Sequence, residues 1–135
     1  MIQKDKNLLL IDLSARLPYG VKCTTKANGW KAIYSICGCL DKKIFLDCPK
    51  EVEGDDEWLV QNIVPYLRPM SSMTKEEENE YINVDNRSYS CPMAYAHIPA
   101  SDRIDWINAH HLDYRGLIGK GLALEAPEGM YNLNN

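Results

Sequence analysis

Leu9 and Leu13, with Leu10 and Leu17 beside them, recur at helical spacing, while Lys6, Asp12 and Arg16 fall on other faces. This pattern predicts an amphipathic helix over residues 3–16. Pro18 stops it, because the residue before a proline is pushed out of the α region, and Gly20 supplies the permissive backbone for a change of direction. From residue 21 to residue 67 the period changes. β-Branched and aromatic residues come in short runs divided by turn chemistry, which predicts strands at 21–26, 30–39, 43–48 and 57–67, the last broken near Val64-Pro65. Asn28-Gly29 tolerates positive φ between two such runs and reads as a hairpin turn.

The second half is patterned for helices. Thr74 and Glu77 stand at the spacing of a capping box and predict a short polar helix over 75–82. Residues 83–100 show no clear period and read mainly as loop, with a short strand at 93–97. A further helix is expected over 101–111, N-capped by Ser101, with Ile104, Ile107 and either His111 or Leu112 toward the core and Trp106 on a flank. The tail, 114–131, reads as one helical turn followed by an extended stretch at 121–126, and residues 132–135 as a fraying end.

Together these elements predict one α+β domain over 1–135: a helix at 3–16, a strand-rich part at 21–68, and a helical and loop part at 74–131. The favoured architecture is a small antiparallel sheet curling into an SH3-like, partly closed barrel closed by 60–67, with two C-terminal helices beside it. A flat sheet covered by helices is the competitor.

Composition narrows the class. A chain of 135 residues can bury a core without disulfides or metal. The apolar run 8–11 is far too short to span a bilayer, and Lys4, Asp5 and Lys6 do not lead into a secretory signal. Five cysteines are an odd number, which fits reduced thiols and a cytoplasmic location. The net charge of −4, with basic residues scattered and only Lys42-Lys43 adjacent, argues against nucleic acid as a partner. The acidic stretch 51–57 lacks the alternating carboxylates of a calcium loop and reads as a solvated connection.

Candidate chemistry is sparse. His110-His111 with Asp113 and Tyr114 form the densest titratable group, and Cys91 or His97 could join them in a hydrolytic or metal-dependent site. Adjacent helical residues diverge by about 100°, so the two imidazoles should face different ways, and a helix-terminal structural role is the plainer reading. Cys37-Gly38-Cys39 would put both sulfurs on one strand face, in the core, without a second pair at zinc spacing. Cys48-Pro49 and Cys91-Pro92 are Cys-Pro dipeptides like the thiolate motif of haem-responsive proteins, a match too short to imply a cofactor. Gly116, Gly119 and Gly121 run in the wrong order for a dinucleotide fingerprint. No metal or cofactor is expected. The residues best suited to an interface are Trp58, Tyr66, Arg68, Trp106, Tyr114 and Arg115, which combine area with polar tips. A non-enzymatic binding or adaptor protein with another protein as partner is the favoured function. A small enzyme using His110 or His111 with Asp113 and Cys91 is the alternative, and a nucleic-acid accessory factor the third.

Three stretches carry a resemblance: Asp12-Leu13 through Leu17-Pro18-Tyr19-Gly20-Val21; Pro65-Tyr66-Leu67-Arg68-Pro69-Met70-Ser71-Ser72-Met73-Thr74; and His110-His111-Leu112-Asp113-Tyr114-Arg115-Gly116-Leu117-Ile118, with Gly121-Leu122-Ala123-Leu124-Glu125-Ala126-Pro127 after it. Together they resemble a family of small proteins from gut anaerobes, commonly encoded in prophage or other mobile elements, to which no activity is assigned. The resemblance implies an accessory role and supplies no catalytic residues.

Overall fold

A computed structural model describes residues 1–26, 32–47, 57–90 and 97–131, with side chains described for all of these except 83–90 and 97–100. The expected Asn28-Gly29 hairpin turn, positions 51–56 of the acidic stretch, Cys48, Cys91, positions 93–96 of the expected short strand and the expected fraying end at 132–135 lie outside the described residues.

The fold is α+β. Helix α1, Gln3–Arg16, occupies the span its leucine pattern predicts, and Leu9 and Leu13 are fully buried. A 3₁₀ turn at Leu17–Tyr19 follows, with Pro18 in its first positions and Gly20 in the left-handed region at φ 71°. The strands are β1 (Lys22–Thr25), β2 (Tyr34–Leu40), β3 (Lys43–Asp47), β4 (Glu57–Leu59), β5 (Ile63–Leu67) and β6 (Leu124–Glu125). Helices α2 (Lys75–Ser90) and α3 (His97–Ala109) separate β5 from β6 and pack against each other.

The strand order is β4-β3-β2-β1-β5-β6. β1 to β4 form the expected antiparallel meander, but β5 returns to pair with the far side of β1, and β6 joins β5 in parallel. The sheet is therefore mixed and not closed, with β4 and β6 at its edges, and its antiparallel part, β4-β3-β2-β1-β5, stops short of a full barrel. The 3₁₀ turn at Val60–Asn62 carries the chain from β4, at one edge of the sheet, to β5 beside β1. That turn also sets the break in the 57–67 run earlier than Val64-Pro65. Pro65 is tolerated inside a central strand because it stands opposite Cys23, a pair that the antiparallel alternation leaves without bonds, and β6 begins pairing only at Tyr66.

One core lies between α1 and the sheet, where Leu9 and Leu13 meet Val21, Cys23, Ile36, Ile44, Leu46, Ile63 and Leu67. β3 alternates between exposed and buried, whereas β5 is buried throughout and Thr24 and Thr25 of β1 are buried too. The middle of the sheet is thus covered on both faces and the β3 side on one. Cys37 and Cys39 do not share a face. Ile36 pairs with Leu46 and Gly38 with Phe45, so Cys37 is the extra residue of a bulge and is exposed, while Cys39 turns inward with its Sγ 3.5 Å from Ser14 Oγ.

Two helix boundaries differ from expectation. α2 runs on to Ser90, past the predicted end at 82, and α3 starts at His97 instead of 101, so Ser101 lies inside the helix and not at its N-cap. Pro99 sits in the first turn of α3, where backbone N–H groups have no intrahelical partner to lose. Ile107 faces the core as expected, but Ile104 is 42% exposed. No helix among the described residues is long and apolar enough to cross a membrane.

Candidate functional site

The end of α3 divides the two histidines. Leu112 N donates to Ile107 O (3.2 Å) and His111 N to Asn108 O (3.1 Å), the paired bonds of a Schellman ending with His111 in the left-handed position at φ 60°. Glycine is the usual residue there. The sharp reversal sends His110 toward α2, where its Nδ1 donates to Trp106 O (2.8 Å), its ring stacks on Trp106 (3.9 Å), and Nε2 lies 3.8 Å from Glu80. His111 goes the opposite way, into the interior, and stacks nearly parallel on Tyr131 with ring centroids 3.7 Å apart. Burial first, then Arg16 and Arg68 nearby, push its pKa down to about 4, and its Nδ1 has no hydrogen-bond partner among the described residues.

Asp113 is committed elsewhere. Its two carboxylate oxygens accept from Leu117 N (2.8 Å) and Ile118 N (3.0 Å), capping the turn that follows, and Gly121 at φ 73° closes that turn. The predicted group of His110, His111 and Asp113 therefore occupies three separate environments, and Cys91 lies outside the described residues. No cluster of three or more His, Cys, Asp or Glu among the described residues is arranged to hold a metal ion.

Most of the suspected interface residues are built into the fold. Trp58 stands opposite Ile44 and packs on the core; Tyr66 is buried in β5; Trp106 lies between Tyr81 and His110. Tyr114 takes two cations, with the Arg16 and Arg115 guanidinium carbons 5.4 and 4.9 Å from its ring centre. Beneath it lies a charge cluster the helical pattern did not reveal. Asp12 and Arg16, predicted to face away from the core, are both fully buried, joined by two hydrogen bonds of 2.8 and 3.2 Å. Arg16 Nη2 also donates to Leu112 O (2.7 Å), and Arg115 Nε lies 3.3 Å from Asp12 as an ion pair without hydrogen-bond alignment.

Arg68 is the suspected residue that reaches a concave surface. It directs a fork onto Glu77 (2.7 and 2.8 Å) and further bonds to Ser72 O (3.2 Å) and His110 O (3.3 Å). Glu77 also completes the capping box, accepting from Thr74 N (2.9 Å) while its own N–H donates to Thr74 Oγ1 (3.1 Å). The Arg68 hydrogen bond, foremost, holds the Glu77 carboxyl well below its ordinary range, at about 2. This frame floors an open groove of about 940 Å³ between the first turns of α2 and the segment 125–131. Five glutamates line it, Glu76, Glu77, Glu80, Glu125 and Glu128, against Arg68 and Lys75. Among the described residues Glu76, Glu125 and Glu128 are exposed and have no ion-pair partner.

The sequence held a local signal for one wall of this groove, the capping box. The other wall, with Tyr131, carried none. No protein-family model, no curated protein and no solved structure matches this chain.

Proposed function

We propose that this chain is a binding protein whose groove receives a basic segment of another protein. The observation that supports the reading is the charge of the groove. Arg68 is neutralised by Glu77, so Glu76, Glu80, Glu125 and Glu128 outnumber Lys75 around the opening. A single exposed pair contributes little, about 0–1 kcal/mol, but several like charges along one concave wall focus their field on an incoming cation. The floor is already organised by the Arg68 fork, which reduces the ordering required on association. The separate engagement of His111, stacked on Tyr131, and of Asp113, capping the Leu117 and Ile118 amides, favours this reading over the enzymatic alternative. The setting we infer is cytoplasmic, as an accessory protein of a mobile element, in keeping with the odd number of cysteines and the family resemblance.

The test is fluorescence anisotropy with a labelled oligolysine at low and high salt. Binding should weaken as salt rises, and the double variant Glu76→Lys/Glu128→Lys should lower affinity by about ten-fold or more. Asp47→Lys, on the exposed face of β3 away from the groove, is the control. An equal loss for that control, or no binding by the native chain, would refute the proposal.

A further inference from the structure

The groove wall formed by 127–131 is fastened in an unusual way. On the β5 side of β1, the antiparallel alternation places Lys22 opposite Tyr66 as a bonded pair, one step on from the unbonded pair Cys23 and Pro65. The direct bond is replaced. Lys22 N donates to the Tyr131 hydroxyl (2.8 Å), and that hydroxyl donates to Tyr66 O (2.7 Å), so a side chain from the C-terminal segment is wedged into the ladder. The ring behind the hydroxyl rests on His111. Burial pushes the Tyr131 hydroxyl's pKa upward, so its proton stays in place for Tyr66.

Little else secures the segment. Ala126 N donates to Leu67 O (2.8 Å), and beyond it Met130 N bonds within the turn, to Pro127 O. Among the described residues the remaining ties from 127–131 to the fold are the Tyr131 bonds and a 3.4 Å bond from Lys22 Nζ to Met130 O.

We propose that residues 127–131 are a strap latched by Tyr131, which swings out while the sheet closes behind it, and that this opening widens the groove for its occupant. When the hydroxyl leaves, Lys22 N–H and Tyr66 C=O pair directly after an approach of order 1.5 Å, roughly the excess of two successive bonds over one. The ladder thus has two satisfied arrangements, which is the requirement for a two-state element. Opening also uncovers the His111 ring. The link to the occupant rests on the groove reading above; the latch itself does not.

Amide exchange followed by NMR on the full chain tests the latch without any ligand. In the native protein, the Met130 amide should exchange far faster than the Thr24 amide, through openings that leave the sheet intact. In Tyr131→Ala, the Lys22 amide should keep its protection because it pairs with Tyr66, and Thr24 should be unchanged. Tyr131→Phe, which keeps the ring, should open the strap while likewise preserving Lys22. Exchange of Lys22 at the rate of an unpaired amide in these variants, or Thr24 losing protection with it, would show the tyrosine to be a fixed part of the sheet and overturn the latch. Oligolysine should bind Tyr131→Ala several-fold more tightly than the native chain, since the opening step is removed. Unchanged or weaker affinity there would refute the coupling. If the native chain does not bind oligolysine, the groove reading and the coupling fall together, and the exchange pattern still decides the latch.

Discussion

Replacing Asp12 by alanine tests the buried charge cluster most directly. The carboxylate has no exposed surface and answers two guanidinium groups, at 2.8 and 3.2 Å from Arg16 and 3.3 Å from Arg115. Its removal leaves Arg16, also fully buried, with the Tyr114 ring and one hydrogen-bond acceptor, Leu112 O, among the described residues. Breaking a buried pair from one side costs about 3–5 kcal/mol, because the other charge is stranded in a low-dielectric interior. Arg115 is part-exposed and can turn to solvent, so its loss adds little. The double variant Asp12→Ala/Arg16→Met removes both charges and fills part of the volume, and should recover most of the loss. It forfeits the bond to Leu112 O, worth about 1 kcal/mol. Urea unfolding followed by tryptophan fluorescence, arranged as a double-mutant cycle, gives the coupling energy. A single-variant cost below about 1 kcal/mol, or a coupling near zero, would mean the pair is solvated and the reasoning wrong.

Two further tests address the groove region. His111 is held neutral with a pKa of about 4 against an ordinary 6.5, so between those values the unfolded chain binds a proton that the native fold excludes. Its contribution is complete above pH 6.5 and is lost as pH falls toward 4, amounting to about 3 kcal/mol at most. His111→Gly should flatten that window in pH-dependent urea unfolding, while the lower window of Glu77, from 4.5 to about 2, remains; an unchanged slope would show that another group titrates. In the α2 frame, Thr74→Ala should destabilise by about 1 kcal/mol through loss of the cap. Glu77→Ala should cost more, by a further 1–3 kcal/mol or so, because the Arg68 fork goes with it. Equal effects in thermal melts would mean that the fork contributes nothing.

What could be read in the sequence was whatever has a local cause. The limits of α1 follow from leucine spacing and Pro18, and the start of α2 from two residues three apart. The turn ending at Gly121 follows from the closely spaced glycines at 116, 119 and 121. What could not be read depends on partners far along the chain. Asp12 and Arg16 look like an exposed i, i+4 pair until Leu112 O and Arg115, nearly a hundred residues on, are placed over them. A single bulge puts Cys37 and Cys39, expected on one face, on opposite sides of β2. The return of β5 to β1 follows the turn at Val60–Asn62, and no pattern in 57–67 distinguishes that path from a continuous strand. Tyr131 belongs to no periodic element, so its place in the ladder had no precursor in the pattern.

His111 connects the end of α3 to the strap. A residue with a Cβ in the left-handed region at a helix end costs about 1–2 kcal/mol relative to glycine, and this one adds a buried imidazole whose Nδ1 has no hydrogen-bond partner among the described residues. Two local rules are broken at one position. Helix termination does not require either breach, since glycine would make the same pair of backbone bonds. What glycine could not provide is the flat surface against which the Tyr131 ring lies while its hydroxyl enters the sheet. The unfavourable choice at the end of α3 is therefore explained by the strap, not by the helix. The same stack that holds the strap closed is one the fold can release without leaving a backbone group unpaired.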